Sequence, residues 1–170
     1  MKILITGATG LLGRSLVKSA LSKGIEINFL TTKKPKINCL NKAKGFYWNP
    51  SNGDLDTDCF LSVDIIIHLA GASISKLWTS SYKKLIFSSR VDSTRLLFSS
   101  LKQIGSRHKI KQIISASAVG IYPSDFEKKF SETAKVYPST FMEEVVNAWE
   151  NEVNSFDSIN IKVAKMRIGL

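Results

Sequence analysis

The 170-residue sequence has no apolar run approaching the roughly 20 residues that a membrane-spanning helix needs, so we expect no membrane segment. Its two cysteines, Cys39 and Cys59, lack the spacing of a metal site. We therefore expect no bound metal and reduced thiols, as in a cytoplasmic protein. Met1 and Lys2 lead directly into an apolar stretch, so the sequence also predicts no signal peptide.

Acidic residues are scarce: 14 Asp and Glu stand against 24 Lys and Arg, which gives a net charge of +10. Such an excess is able to attract nucleic acid. The lysines are dispersed, however, and no aromatic residues are interleaved with them to form a basic stripe. We therefore expect no nucleic-acid binding, and we interpret the charge as a solvated basic surface that favours anionic ligands.

The chain does contain a glycine-spaced turn near its start. The β-branched run at residues 3–5 is too short for a helix and predicts a buried strand. Glycines follow in the spacing G-x-x-G-x-x-G, and apolar residues then recur at helical spacing up to Gly24. This is the setting of a dinucleotide fingerprint, because a pyrophosphate needs close access to N–H groups at a helix N-terminus. A tight turn without a ligand stays the alternative. The predicted binding residues are Gly7, Thr9, Gly10, Leu11, Leu12 and Gly13.

Apolar segments alternate with helical patterns along the rest of the chain. The segment 64–69 is nearly all apolar, which is typical of a strand in a parallel sheet covered on both faces. The alternation predicts an α/β fold with a doubly wound parallel sheet in three α/β/α layers, the Rossmann fold, over residues 1–170. The predicted strands are 3–5, 25–31, 45–48, 64–69, 111–115 and 160–166; the predicted helices run from 11 to the stop at 24, from 78 to 101 and from 141 to 156; residues 124–140 form the longest irregular stretch.

The end of the second predicted strand indicates which dinucleotide is bound. Proteins of this fold that bind NAD usually place an acid about 20 residues after the fingerprint, where it holds the ribose 2′-hydroxyl. Here the strand is followed by Thr32, Lys33 and Lys34, and no carboxylate is present. Two ammonium groups attract a 2′-phosphate. We therefore predict NADP rather than NAD as the cofactor, with Thr32 and Lys33 among its binding residues.

Seven sequence blocks run in order along the chain: ITGATGLLG (5–13), FYWNPSNGDLD (46–56), DIIIHLAGASI (64–74), LWTSSYKKLIFSSRVDST (77–94), ISASAVGIYP (114–123), FMEEVVNAWE (141–150) and KMRIGL (165–170). With these blocks the chain resembles the extended, or atypical, short-chain dehydrogenase/reductases. Within them it is most similar to the epimerase family protein group of NAD-dependent epimerases/dehydratases. The resemblance implies a Rossmann fold, a dinucleotide cofactor contacted by Ala70, Gly71 and Ser115, and a nucleotide-sugar substrate.

The catalytic residues of this superfamily are only partly present. A Ser or Thr after the fifth strand acts there with Tyr-x-x-x-Lys on the next helix, whose tyrosine exchanges a proton with the substrate oxygen. Ser117 fits the serine position, but Phe141 and Val145 stand where the tyrosine and lysine are expected. Tyr122 is the candidate tyrosine, and a packing role is its alternative. Ser117 and Tyr122 are the predicted catalytic residues.

Relatives of this kind continue past the last predicted strand into a substrate-binding segment, whereas this chain stops at Leu170. We expect either a fragment or a truncated gene product, in which the C-terminal substrate segment is absent. Two functions stay open. One is an NADP-dependent oxidoreductase or epimerase acting on a nucleotide sugar, and the other is a non-catalytic module that holds NADP(H) as a sensor or scaffold. Members of this superfamily often dimerise through the helix predicted at 78–101, so the resemblance leaves a homodimer open.

Overall fold

The computed structural model describes residues 1–125 and 127–169; Phe126, in the predicted irregular stretch, and Leu170, at the end of the last block, lie outside the described residues. Each predicted helix and strand has a counterpart, with shifted ends. The strands are β1 (Lys2–Thr6), β2 (Glu26–Thr31), β3 (Ala43–Asn49), β4 (Asp54–Leu55), β5 (Ile65–His68), β6 (Gln112–Ala118) and β7 (Lys162–Ile168). The α-helices are α1 (Leu11–Ser22), α2 (Ser80–Ile104) and α3 (Phe141–Asn154).

The strands form one sheet in the order β4-β3-β2-β1-β5-β6-β7. All neighbours pair in parallel except β3 and β4, which are antiparallel. Strand β1 lies between β2 and β5, so the chain first winds to one side of β1 and later returns to its other side. The carboxyl ends of β1 and β5 therefore form a topological switch point, where open α/β sheets leave a crevice for a ligand.

The two faces of the sheet are covered by different helices. Alternate residues of a strand point to opposite faces. In β1, Ile3 and Ile5 pack in a cluster with α1, whereas Leu4 packs in a larger cluster with Leu97 and Leu101 of α2. Helix α3 lies beside α2, with which it shares a third, smaller cluster. The predicted α/β/α arrangement is confirmed.

Three differences from the predicted elements have identifiable causes. Strand β4 is missing from the prediction, because two residues after a turn give no periodicity. Helix α2 starts at Ser80 because the Thr79 side chain accepts a hydrogen bond from the Tyr82 N–H, and it reaches Ile104 before Gly105 ends it with a φ of 55°. Strand β6 continues to Ala118 because β7 pairs with it along its whole length, so Ser117 lies within the strand and not after it.

The described part of the chain can be compared with the expectations about membrane helices and cysteines. No helix there combines the length and apolarity that crossing a membrane requires. Cys39 is exposed and Cys59 is buried, and both are free thiols. Burial raises the pKa of the Cys59 thiol, and the charges of Asp56 and Asp58 raise it further, so this thiol stays protonated.

Candidate functional site

The turn between β1 and α1 has room for glycine only at two positions. Gly7 has a φ of +69°, and a Cβ there would lie 2.7 Å from the carbonyl oxygen of Leu69. A Cβ on Gly13 would lie 2.2 Å from the carbonyl oxygen of Gly7. The Gly10 N–H donates to that same oxygen at 2.9 Å, which closes the turn. The collision at Gly13 is thus with the backbone of the turn itself.

The first turn of α1 leaves backbone N–H groups free for a ligand. Gly10 is the N-cap residue and has no side chain to accept hydrogen bonds from these groups. No acidic residue lies in the first turn, and the side chains of Leu11 and Leu12 are exposed. The first N–H groups of a helix have no partner within it and carry partial positive charge. The N-terminus of α1 is therefore suited to an anion such as a pyrophosphate.

A cleft of about 440 Å³ opens beside this turn, where β1, β2, β3 and β5 end. It lies at the topological switch point of the sheet. Five predicted cofactor residues line it: Gly7, Thr9, Thr32, Ala70 and Gly71. The other predicted cofactor residues do not line the cleft but follow a lining residue in sequence or lie in the first turn of α1: Gly10, Leu11, Leu12, Gly13 and Lys33. Ser115 is separate, because it is fully buried in β6 and its hydroxyl donates to the Ala116 carbonyl at 2.9 Å.

Part of the cleft wall comes from residues that the sequence argument did not assign to the site. The segment 48–51 after β3 forms one wall, and one side of α2 forms another. Asn49 and Pro50 belong to this segment, and their residue types are typical of a turn. The parallel pairing of β3 with β2 places them beside the end of β2, and this pairing is a tertiary feature. The α2 residues that line the cleft are Leu85, Ser88, Ser89, Asp92 and Ser93.

The end of β2 is basic, as its sequence predicts. Thr31 is buried, and its hydroxyl oxygen accepts a hydrogen bond from the Lys33 N–H at 3.2 Å. The Lys34 ammonium lies 5.1 Å from the centre of the Tyr47 ring. Among the described residues that line the cleft, Asp92 of α2 is the one carboxylate. The strand end therefore offers cations where NAD-binding proteins usually place an acid.

A buried histidine holds the loop that lines the cleft after β5. The Thr6 hydroxyl oxygen accepts hydrogen bonds from the N–H groups of Leu69 and Ala70 at 3.1 and 3.0 Å. The Thr94 hydroxyl donates to the Arg90 carbonyl at 2.7 Å, so it accepts a hydrogen bond from His68 Nε2 at 3.0 Å. His68 Nδ1 is then the acceptor of a hydrogen bond from the Thr6 hydroxyl at 2.7 Å. Burial lowers the pKa of His68 to about 3, so the ring is neutral at pH 7. His68 is thus a hydrogen-bonded core residue, as its place in an apolar strand predicts.

Replacing Thr6 with valine is expected to lower the free energy of unfolding by about 3 kcal/mol, because it leaves the Ala70 N–H and His68 Nδ1 without a partner. The Leu69 N–H keeps the Thr6 backbone carbonyl at 3.3 Å. Cofactor binding should weaken in the same variant, since the released loop contains Ala70 and Gly71. Chemical denaturation measures the first effect. Thr57→Val, at an exposed threonine, is the control and should stay within about 0.5 kcal/mol of the parent. Equal stability of the two variants would contradict this role of Thr6.

The predicted catalytic serine is part of a buried charged network. Ser117 of β6 is paired in register with Arg167 of β7, and Glu150 of α3 bonds both. The Ser117 hydroxyl donates to Glu150 Oε1 at 2.6 Å, and Arg167 donates to both Glu150 oxygens at 2.8 and 2.9 Å. Burial disfavours the charged form of Glu150, but the hydrogen bonds from Arg167 and Ser117 outweigh it, so its pKa lies below the ordinary value. The Ser117 proton is therefore directed toward a carboxylate.

The predicted catalytic tyrosine joins the same network from outside. The Tyr122 hydroxyl donates to the Ser131 carbonyl at 3.0 Å and accepts a hydrogen bond from Arg167. Tyr122 does not line the cleft beside the β1–α1 turn. Its packing role is directly visible in the stacking of its ring on Phe130. Its catalytic role stays a prediction.

The two positions where the superfamily expects tyrosine and lysine are apolar contacts. The ring of Phe141 packs edge-on against Trp78, with centres 5.7 Å apart, and the Lys83 ammonium lies 5.2 Å from it. Val145 is fully buried in α3. Neither residue is able to transfer a proton, so these positions supply packing and not acid–base chemistry.

A second cavity, of about 190 Å³, adjoins the cleft and shares Ala70 and Gly71 with it. Ser117 lines it, together with residues of α2, α3 and β7. The cleft, the uncapped helix N-terminus and this neighbouring cavity define the class of the site. They form a crevice at the switch point of an open α/β sheet, where proteins of this architecture bind nucleotides, with space for a second group beside it.

Comparison with known proteins gives the family. The model of the NAD dependent epimerase/dehydratase family matches residues 3–156, and the chain belongs to this family. An epimerase family protein of Staphylococcus saprophyticus is 36% identical over 172 residues, which cover 98% of this chain and 54% of that protein. An epimerase family protein of Staphylococcus haemolyticus is 33% identical, and the match covers 99% of this chain and 54% of that protein. The chain thus spans about half the length of the curated relatives it matches.

Solved structures share the fold of this chain. The nucleoside-diphosphate sugar epimerase from Corynebacterium glutamicum has a TM-score of 0.77 and 28% identity over 98% of this chain and 33% of its own. UDP-glucuronic acid 4-epimerase from Bacillus cereus, solved with NAD, has a TM-score of 0.74 and 20% identity. The match covers 99% of this chain and 57% of the epimerase. A human epimerase family protein, solved with NADPH, has a TM-score of 0.72 and 21% identity. The match covers 89% of this chain and 48% of the human chain. The last two likenesses show the fold alone.

Proposed function

We propose that this chain binds NADP(H) in the cleft at the β1–α1 turn. The observation that carries the proposal is the uncapped N-terminus of α1 behind a turn in which Gly7 and Gly13 admit no side chain. Such a turn lets a pyrophosphate approach the backbone N–H groups closely. Membership of a family named for its NAD dependence supports a dinucleotide. The choice of NADP rests on the cations after β2.

The residues of the cleft suit the parts of a dinucleotide. The first N–H groups of α1 would hold the pyrophosphate, and Thr32 and Lys33 would hold the adenosine ribose and its 2′-phosphate. Ala70 and Gly71, fixed by Thr6 and His68, would border the nicotinamide half. When bound, the nicotinamide ring accepts or gives a hydride. The protein's own part is to bind, to orient and to exclude water.

We also propose that the reaction is oxidoreduction or epimerisation of a nucleotide sugar. The second cavity supports this, because it adjoins the cleft at Gly71 and contains Ser117. The Corynebacterium glutamicum structure, a nucleoside-diphosphate sugar epimerase, supports the substrate class. The Ser117 proton is directed to Glu150, so its oxygen is left to accept a hydrogen bond from a substrate hydroxyl.

A non-catalytic NADP(H)-binding module is the second candidate. The apolar packing of Phe141 and Val145 favours it, as does the engagement of the Tyr122 hydroxyl by Ser131 and Arg167. An exchange experiment separates the two candidates. The chain is incubated with NADP⁺ and with UDP-glucose or UDP-glucuronate deuterated at the carbinol carbons of the sugar, and mass spectrometry follows the deuterium. Oxidation of a carbinol moves its deuteride to the nicotinamide and releases the hydroxyl proton, so deuterium in the cofactor supports the enzyme, whereas bound NADP⁺ that gains no deuterium supports the module.

Replacing Lys33 with glutamate is expected to weaken NADPH binding by about tenfold or more, since a charge-assisted contact to the 2′-phosphate is replaced by repulsion. NADH binding should change by about twofold or less, because NADH lacks that phosphate. Calorimetric titration measures both. Lys36→Glu, three residues further along the same short 3-10 turn, is the charge-matched control. An equal loss for NADPH and NADH in Lys33→Glu would contradict the proposed NADP preference.

A further inference from the structure

Arg90 of α2 is a half-buried cation that forms no ion pair within residues 1–125 and 127–169. Its guanidinium donates to the carbonyl oxygens of Ile86 at 3.1 Å and Ala72 at 3.2 Å. A guanidinium carries five N–H donors, so these bonds leave donors unused. The arginines Arg95 and Arg167, by contrast, each bond a glutamate. Burial lowers the pKa of Arg90, although an arginine stays charged at pH 7.

Trp149 of α3 lies against Arg90 and also has an unused donor. The guanidinium carbon of Arg90 is 5.5 Å from the centre of the indole ring. Trp149 is only 5% exposed, and its indole N–H finds no hydrogen-bond acceptor in the described part of the chain. Buried N–H groups in native proteins are nearly always paired. An unpaired one therefore indicates an acceptor that comes from outside the protein.

Both residues line the second cavity. Ser117 lines it too, with its proton directed to Glu150, which leaves its oxygen as an acceptor. The rest of the lining is largely apolar, and apolar surroundings strengthen the interaction between a charge and its counter-ion. The apolar residues are Leu69, Ile74, Met142, Val146 and Ile168.

We propose that the second cavity is a subsite for a substrate carboxylate, held by the Arg90 guanidinium and the Trp149 N–H, with a neighbouring substrate hydroxyl donating to Ser117. The substrate class is then a nucleotide-linked sugar acid, and this step rests on the proposed function. A neutral carbonyl would leave the Arg90 charge uncompensated, whereas a carboxylate compensates it. The N-terminus of α1, in the adjoining cleft, is the place suited to phosphate groups.

The test compares two ligands that differ only at C6 of the sugar, UDP-glucuronate and UDP-glucose, by calorimetric titration of the 170-residue chain saturated with NADPH. The parent protein should bind UDP-glucuronate at least about tenfold more tightly, as expected for hydrogen bonds to a charged group. Arg90→Gln should reduce this ratio to about twofold or less. Trp149→Phe, which keeps the ring and removes only the N–H, should lower it severalfold. Arg107→Gln, at an exposed arginine, should keep the parent ratio.

Equal affinity of the parent for the two sugars, or a ratio that persists in Arg90→Gln, would overturn the carboxylate subsite. If the chain binds NADPH but neither UDP-sugar, the carboxylate subsite is overturned and the proposed cofactor stands. Free glucuronate and glucose are titrated without NADPH as a separate arm. A preference for glucuronate in a chain that fails to bind NADPH would keep the subsite and overturn the proposed function. Inorganic phosphate is also added as a competitor of UDP-glucuronate. Equal competition in the parent and in Arg90→Gln would overturn the role of Arg90.

Discussion

Replacing Gly13 with alanine is expected to abolish measurable NADPH binding and to lower the free energy of unfolding by about 2 kcal/mol, in the range of overpacked substitutions. The new Cβ would lie 2.2 Å from the Gly7 carbonyl oxygen and 2.7 Å from the Ala8 Cα. Backbone atoms cannot rotate away as a flexible side chain does. The turn must therefore open, and the N–H groups of α1 move away from the place of the pyrophosphate.

Chemical denaturation and an NADPH fluorescence titration measure the two effects of Gly13→Ala. Gly120→Ala is the matched control, because a Cβ there meets no atom within 4 Å and Gly120 has no positive φ. It should keep both stability and binding. NADPH binding by Gly13→Ala at parental affinity would show that the turn does not hold the pyrophosphate.

Replacing Glu150 with alanine is expected to lower the free energy of unfolding by about 3 kcal/mol, since it leaves the Arg167 guanidinium and the Ser117 hydroxyl without their partner. The side chains of Glu150 and Arg167 are 6% and 17% exposed, so little water is available to replace the lost bonds. Glu152→Ala is a matched control on the same helix. Glu152 also bonds an arginine, Arg95, but that arginine is 56% exposed, and the expected loss is about 0–1 kcal/mol.

The pH dependence of the Glu150 effect has a definite sign. The pKa of Glu150 is lower in the folded chain than in the unfolded chain, so at a given pH its carboxyl group is protonated to a smaller extent in the folded chain. The stability that Glu150 contributes is therefore complete above its unfolded pKa of about 4.3 and is lost as the pH falls through the folded value. The stability difference between the parent and Glu150→Ala should shrink on acidification below that point. A difference that grows toward acid pH would contradict the charged network.

Local sequence signals predicted most of the fold. Gly7 and Gly13 give the turn, the β-branched run in β1 gives its strand, and the helical spacing up to Gly24 gives α1. The ends of β6 were less predictable. Its last residues, Ser115 to Ala118, are small and have little strand preference, and they are a strand because β7 pairs with them. The short β4 exists only through its pairing with β3.

The candidate site was predictable where its residues follow a strand directly. Ala70 and Gly71, and Thr32 at the end of β2, are of this kind, because the carboxyl ends of parallel strands meet at one edge. Side chains on helices were not. Arg90 and Trp149 meet only through the packing of α2 on α3, which periodicity does not specify. The partners of Tyr122 likewise come from a separate strand and an irregular segment.

The most direct test of the account is an NMR titration of the ¹⁵N-labelled chain with NADPH, with NADH in parallel. We predict saturable shifts in the amide signals of Gly7, residues 10–13, Thr32, Ala70 and Gly71, with NADPH saturating at lower concentration. Shifts of this kind would place a dinucleotide on the turn and the cleft. The absence of saturable shifts, or shifts confined to Ile27 and Lys44 at the amino ends of the strands, would contradict the proposed cofactor site.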